Sequence, residues 1–111
     1  NILGIKRDKL IVKSYNVETI PLNEFLKSNN IQNIDVLKID VEGHEYEVLK
    51  GLFSGGLNTK IKYVQIESHN NDAYPNKMKE INKLLALNNF VMLKSIKHGF
   101  GDFDELIYVL N

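Results

Sequence analysis

The run Ile34-Asp35-Val36-Leu37-Lys38-Ile39-Asp40-Val41 constrains the fold of this chain more than any other stretch. Alternation puts Ile34, Val36, Lys38 and Asp40 on one side of a strand, and Asp35, Leu37, Ile39 and Val41 on the other. Mid-strand is therefore apolar on both faces, the pattern of a buried strand in a parallel sheet, and parallel neighbours need crossover connections. Gly43 ends the run. Tyr46, Leu49, Leu52 and Phe53 then share a helical stripe over residues 45–53, with Gly55-Gly56 in the place of a C-terminal cap.

The strand–turn–helix theme repeats. Lys62 to Ser68, with Tyr63, Val64 and Ile66, reads as a second strand. A polar loop over Asn70 to Tyr74 leads to Pro75 at a helix start, and Met78, Ile81, Leu84 and Leu85 give that helix its apolar stripe before Asn88-Asn89 ends it. Phe90 to Ile96 and Leu106 to Leu110 are two final strands. The stretch between them is too short for a crossover helix, so they are expected to pair antiparallel. Upstream, Lys9 to Val17 suggests a strand, and Thr19 is placed to cap a short helix that has Pro21 in its first turn and Leu22, Phe25 and Leu26 on one face, stopped by Asn29-Asn30. The alternation predicts an α/β domain with right-handed crossovers.

At 111 residues the chain is sized for one domain and one core, and 43% hydrophobic with 25% charged residues is a composition that folds. Fourteen basic residues balance fourteen acidic ones, so there is no electrostatic footprint for nucleic acid or an anionic membrane. No stretch approaches the roughly 18 apolar residues of a membrane span. The absence of cysteine rules out a disulfide framework and thiolate metal sites, and fits a reducing compartment, with the cytoplasm as the default expectation.

Ligands of open α/β sheets sit beyond the carboxyl ends of parallel strands. Asp40, Glu42 and Glu45 surround Gly43 at one such end, and Glu67, Ser68, His69, Asn70 and Asn71 form another. If the two strands are neighbours, about 4.8 Å apart, Asp40 and Glu67 share one crevice. Clustered carboxylates repel unless a cation, a shared proton or a substrate hydroxyl relieves them. Asp40, Glu42 and His69 are thus the candidate catalytic bases, and Asp40, Glu67 and Asn70 offer hard oxygen ligands suited to magnesium. For Glu45, stabilisation of the following helix N-terminus is the better reading.

Leu37-Lys38-Ile39-Asp40-Val41-Glu42-Gly43-His44-Glu45, followed by Val48-Leu49-Lys50-Gly51, resembles the signature of the FkbM-type S-adenosylmethionine-dependent methyltransferases. Thr19-Ile20-Pro21-Leu22 with Phe25-Leu26, and Ile66-Glu67 with His69, resemble flanking segments of that family. The likeness runs in order over roughly residues 10–110, with His44 a departure where Ala is frequent. It implies a partial class I methyltransferase (Rossmann-like) sheet, mostly parallel with a C-terminal antiparallel pair, to which this chain gives the fourth and fifth strands and the terminal pair. It also implies Asp40 and Gly43 as cofactor contacts, S-adenosylmethionine as donor, and a small-molecule or glycan hydroxyl as acceptor. No Gly-rich turn precedes Asp40, so residues 1–111 read as one domain, the C-terminal part of a methyltransferase without the cofactor-binding half.

Two other readings stand beside this one. Asp40 with Glu67-Ser68-His69 is also the layout of a metal-dependent nuclease or phosphodiesterase, although charge neutrality disfavours a polyanionic substrate. A non-catalytic half domain that binds a partner is the third. A strand as apolar as residues 34–41 should not lie at a bare sheet edge, so self-association through that edge is expected unless residues 9–17 cover it.

Overall fold

The computed structural model describes residues 16, 19–69, 74–98 and 103–111. The element order is α1 (Leu22–Ser28), β1 (Asn33–Ile39), α2 (Glu45–Phe53), β2 (Lys60–His69), α3 (Tyr74–Leu87), β3 (Phe90–Lys97) and β4 (Phe103–Leu110). The strand expected over residues 9–17 lies outside the described residues except for Asn16, which is exposed and in no strand.

Both α1 and α3 stop by the same device. Asn29 donates from Nδ2 to the Phe25 carbonyl at 2.8 Å, and Asn30 follows at φ 55°. Asn88 donates to the Leu84 carbonyl at 2.9 Å, and Asn89 follows at φ 69°. The first asparagine's side chain donates to a carbonyl of the last turn, and the second takes the left-handed conformation that its short polar side chain tolerates. The start of α1 departs from expectation. Pro21 itself is the N-cap residue and no side chain caps the helix, so Thr19 does not serve. The Pro21 carbonyl takes the amides of Glu24 and Phe25 at 3.1 and 3.3 Å.

The four strands form one sheet in the order β1-β2-β4-β3. β1 and β2 pair parallel, with Ile39 opposite Ile66, whereas β2–β4 and β3–β4 are antiparallel. Two of three pairings are therefore antiparallel, which corrects the expectation of a mostly parallel sheet. The cause is the short link after β3. With no helix to carry it across, β4 returns antiparallel, and it inserts between β2 and β3 rather than outside them. β1, β2 and β3 still run in one direction, so their carboxyl ends share one edge of the sheet.

One face of the sheet carries Ile39, Val64, Ile66, Leu106 and Tyr108, all buried, against Leu26, Leu49, Leu52, Ile81 and Leu85 of the helices. On the other face Val36, Tyr63, Val109 and Val91 are directly opposed across the four strands. Among the described residues that face is partly open, with Val36 54% and Val91 46% exposed. The expectation of a strand buried on both faces thus fails for β1, which is an edge strand of the described sheet, covered on one side.

Tyr108 donates its hydroxyl to Asn82 Oδ1 on α3, tying the sheet to the helix layer. Burial pushes its phenol pKa from 10.0 up to about 12. Below pH 10 the phenol is neutral in both folded and unfolded chains. Between pH 10 and about 12 the unfolded chain ionises first, which favours unfolding. Chemical denaturation is therefore expected to show stability falling over that window, with a flatter curve in Tyr108→Phe.

Candidate active site

Beyond Ile39 the chain leaves β1 through Asp40 and turns at Val41–His44, closed by the His44 amide on the Val41 carbonyl at 3.3 Å. The two central residues, Glu42 and Gly43, lie at φ 52° and 100°. A left-handed glutamate is uncommon, and glycine beside it is the residue that adopts such a φ without strain. Sequence placed the glycine correctly and left the glutamate's backbone unforeseen.

The turn is held from two sides. Glu45, 1% exposed, accepts the Gly43 amide on Oε2 at 2.8 Å, and Lys77 of α3 donates from Nζ to the Gly43 carbonyl at 3.0 Å. Both peptide groups of Gly43 are thereby engaged within the chain, and its duty here is the turn. Glu45 behaves as expected of a residue at a helix start. Lys77 was missed, since nothing in a helical lysine's spacing announces a contact with a loop 34 residues earlier. Glu45→Ala strands a partly buried amide, a cost of about 1 kcal/mol. Urea denaturation should show that loss, and Glu45→Gln, which keeps an acceptor oxygen, should lose less.

Asp40 stands one residue past the Ile39–Ile66 pair and is therefore the neighbour of Glu67. The two strand ends are neighbours, and the alignment of carboxylates extends further. Glu67 is directly opposite Glu105 of β4, and Glu105 is opposite Ile96 of β3. Asp40, Glu67 and Glu105 thus form a row across three adjacent strands, on the face away from the helices. Asp40 and Glu42 are exposed, while Glu67 and Glu105 are half-buried. One step further out, His69 is opposite Phe103. His98 lies on the far side of Phe103, its ring stacked on the phenyl with centroids 4.5 Å apart and planes 23° from parallel. His98 Nε2 is 3.6 Å from Glu105 Oε2.

Glu105 was not anticipated. Sequence paired the last two strands with each other but gave no sign that β4 would wedge against β2, and only that insertion brings Glu105 beside Glu67. Asn70, expected as a metal ligand, lies outside the described residues. Among the described residues no group of three or more His, Asp or Glu is arranged to hold a metal ion, so the magnesium expectation gains no support. No helix among them is long and apolar enough to cross a membrane.

The arrangement can bind hydroxyls through carboxylates and move a proton through a carboxylate or an imidazole. Among known proteins, this chain is 39% identical over 56 residues to hexuronic acid methyltransferase AglP of Haloferax volcanii, a stretch covering 50% of this chain and 23% of that protein. The chain thus spans under a quarter of that relative's length. No solved structure matches. The methyltransferase FkbM domain matches residues 6–98, which contain the Asp40–Glu45 turn and both parallel strands. By that match, which takes in most of its length, the chain belongs to the FkbM methyltransferase family.

Proposed function

We propose that this chain forms the acceptor side of an S-adenosylmethionine-dependent O-methyltransferase acting on a hydroxyl of a sugar or sugar acid. The observation that carries the reading is the carboxylate row Asp40–Glu67–Glu105, at the carboxyl ends of β1 and β2 and the amino end of the antiparallel β4, in a chain of a methyltransferase family. The hexuronic acid named for the Haloferax relative supports a sugar acceptor. Family membership favours methyl transfer over the phosphodiester alternative.

When bound, S-adenosylmethionine supplies a methyl group already activated on a sulfonium. The chain must then align an acceptor hydroxyl and take its proton. The residues present fit that donor in part. The exposed carboxylates of Asp40 and Glu42 suit its positive charge and hydroxyls. A Cβ built on Gly43 would meet only Lys77 Nζ, at 4.0 Å, so the backbone is open there to close approach. No Gly-rich turn occurs before Asp40 to hold the rest of the cofactor. In this reading Asp40 and Gly43 flank the donor, Glu42 and His69 face the acceptor, and the remaining cofactor contacts come from outside residues 1–111.

Isothermal calorimetry with S-adenosylmethionine tests the proposal, using this chain and a version extended upstream. Binding by the extended version and weak or no binding by residues 1–111 is the expected result. Heat from neither would sink the donor assignment. Magnesium titrated separately, with uptake abolished in Asp40→Asn, would favour the phosphodiesterase reading instead. Light scattering on the same samples tests self-association through the β1 edge.

A further inference from the structure

We propose that the outer edge of β3, with the end of α3, is a membrane-contact surface that takes the anionic headgroups of a phospholipid bilayer. β3 is the last strand of the described sheet, bonded to β4 on one side only. It carries Val91, Met92 and Leu93, which are 46%, 48% and 59% exposed, the longest run of exposed large apolar residues among the described ones. Leu87, at the end of α3, is 72% exposed. Val91 is opposite Val109 and Met92 is opposite Tyr108, on the two different faces of the sheet. Lys94 is the next residue with a partner, opposite Ile107, which makes Leu93 the extra residue of a bulge. A bulge followed by a lysine blunts an edge against a further strand. The apolar run is therefore left for something other than strand pairing.

Shape and charge together point to the occupant. A folded partner lies against one face of a sheet, whereas Val91, Met92 and Leu93 offer apolar side chains on both faces and at the rim, and a fluid interface wets all of them. α3 and β3 carry five lysines and one glutamate. Lys79 and Lys83 are exposed on consecutive turns of α3, with Leu87 one turn further, and Lys94 and Lys97 are exposed on β3. The acidic side chains set against them are Glu80 on α3, and Asp104 and Glu105 of β4, opposite Lys97 and Ile96 towards the far end of β3. The balanced charge of the whole chain conceals this local excess. Apolar side chains at headgroup depth, with lysines reaching anionic phosphates, hold a protein on a bilayer surface. A second copy related by a two-fold axis would instead set these lysines against their own kind. An edge strand seated on a bilayer lies along it, so the carboxyl ends of β1, β2 and β3 then open parallel to the membrane surface.

Co-sedimentation of the intact protein with vesicles tests the proposal, phosphatidylglycerol mixed into phosphatidylcholine being compared with phosphatidylcholine alone. The expected result is binding to the anionic vesicles that falls as salt is raised, with little binding to the neutral ones. Each lysine near an anionic surface contributes about fivefold, so the double variant Lys83→Gln, Lys94→Gln should bind about 25-fold more weakly. Leu93→Ser should lose roughly tenfold through its apolar contact. Lys60→Gln, at an exposed lysine on the amino end of β2, should bind as the wild type does. All these side chains are exposed, so thermal midpoints should stay close to that of the wild type. No binding to anionic vesicles, equal binding to neutral ones, or binding indifferent to both the lysine and the leucine variants would overturn the proposal. So would a dimer in light scattering that Leu93→Ser dissociates while vesicles stay unbound, which gives the edge to a second copy.

Discussion

Asp40→Asn is expected to lower methyl transfer by about 10²–10³-fold, the usual consequence of removing one charged group aimed at a reacting centre. Asparagine keeps the shape of the side chain and removes its charge. Asp40 is exposed, lies just beyond the last residue of β1, and takes no part in the bonds that close the Val41–His44 turn. Stability should therefore move by less than about 0.5 kcal/mol, as is usual at a surface position away from a packing or capping feature. Two measurements separate the roles. A lost rate with an unchanged urea midpoint places Asp40 in the chemistry. An unchanged rate moves the chemistry along the carboxylate row toward Glu67 and Glu105. The same substitution should weaken donor binding if Asp40 touches the sulfonium side, and leave it unaltered if the carboxylate serves the acceptor alone.

The parts of this fold that were legible in sequence are those set by local rules. The α2 helix was read to its exact ends, because a glycine-containing turn precedes it and its apolar stripe closes on Gly55-Gly56. Asn-Asn pairs marked two helix ends because each supplies a carbonyl partner and a left-handed residue. Asp40 and Glu67 could be placed side by side because consecutive parallel strands joined by a helix are usually neighbours. What remained hidden was set by long-range choices. Nothing in residues 103–110 says whether the last strand lies outside β3 or wedges between β2 and β3. That choice turned most pairings antiparallel and set Glu105 opposite Glu67. The burial of β1 was misjudged for a related reason. Apolar residues on both faces of a strand show what it can bury, whereas its exposure depends on what the rest of the fold lays over it, and among the described residues only one face is covered. Lys77 belongs to the same class, since its contact with the Gly43 carbonyl exists only once α2 and α3 are packed.

Leu49→Ala should be among the most destabilising single changes in the chain, at about 2–5 kcal/mol. Leu49 is fully buried in α2, within the cluster that includes Leu52, Val64, Ile66, Ile81 and Leu85. Truncation removes transfer free energy and leaves a cavity that these neighbours only partly fill. A domain of this size has a total stability on the order of 5–15 kcal/mol, so the loss is a large share of the whole, and a thermal midpoint lowered by roughly 10 °C or more should follow. Leu87→Ala is the control. Leu87 is 72% exposed at the end of α3, and its truncation should leave the midpoint nearly unchanged. The consequence reaches the site, because α2 begins at Glu45, whose carboxylate holds the Gly43 amide. A helix loosened at Leu49 loses its grip on the left-handed turn beside Asp40. Hydrogen exchange at Gly43 should therefore quicken in Leu49→Ala more than in Leu87→Ala. Equal rates in the two variants would show that the turn is held without α2, leaving Lys77 as its principal anchor.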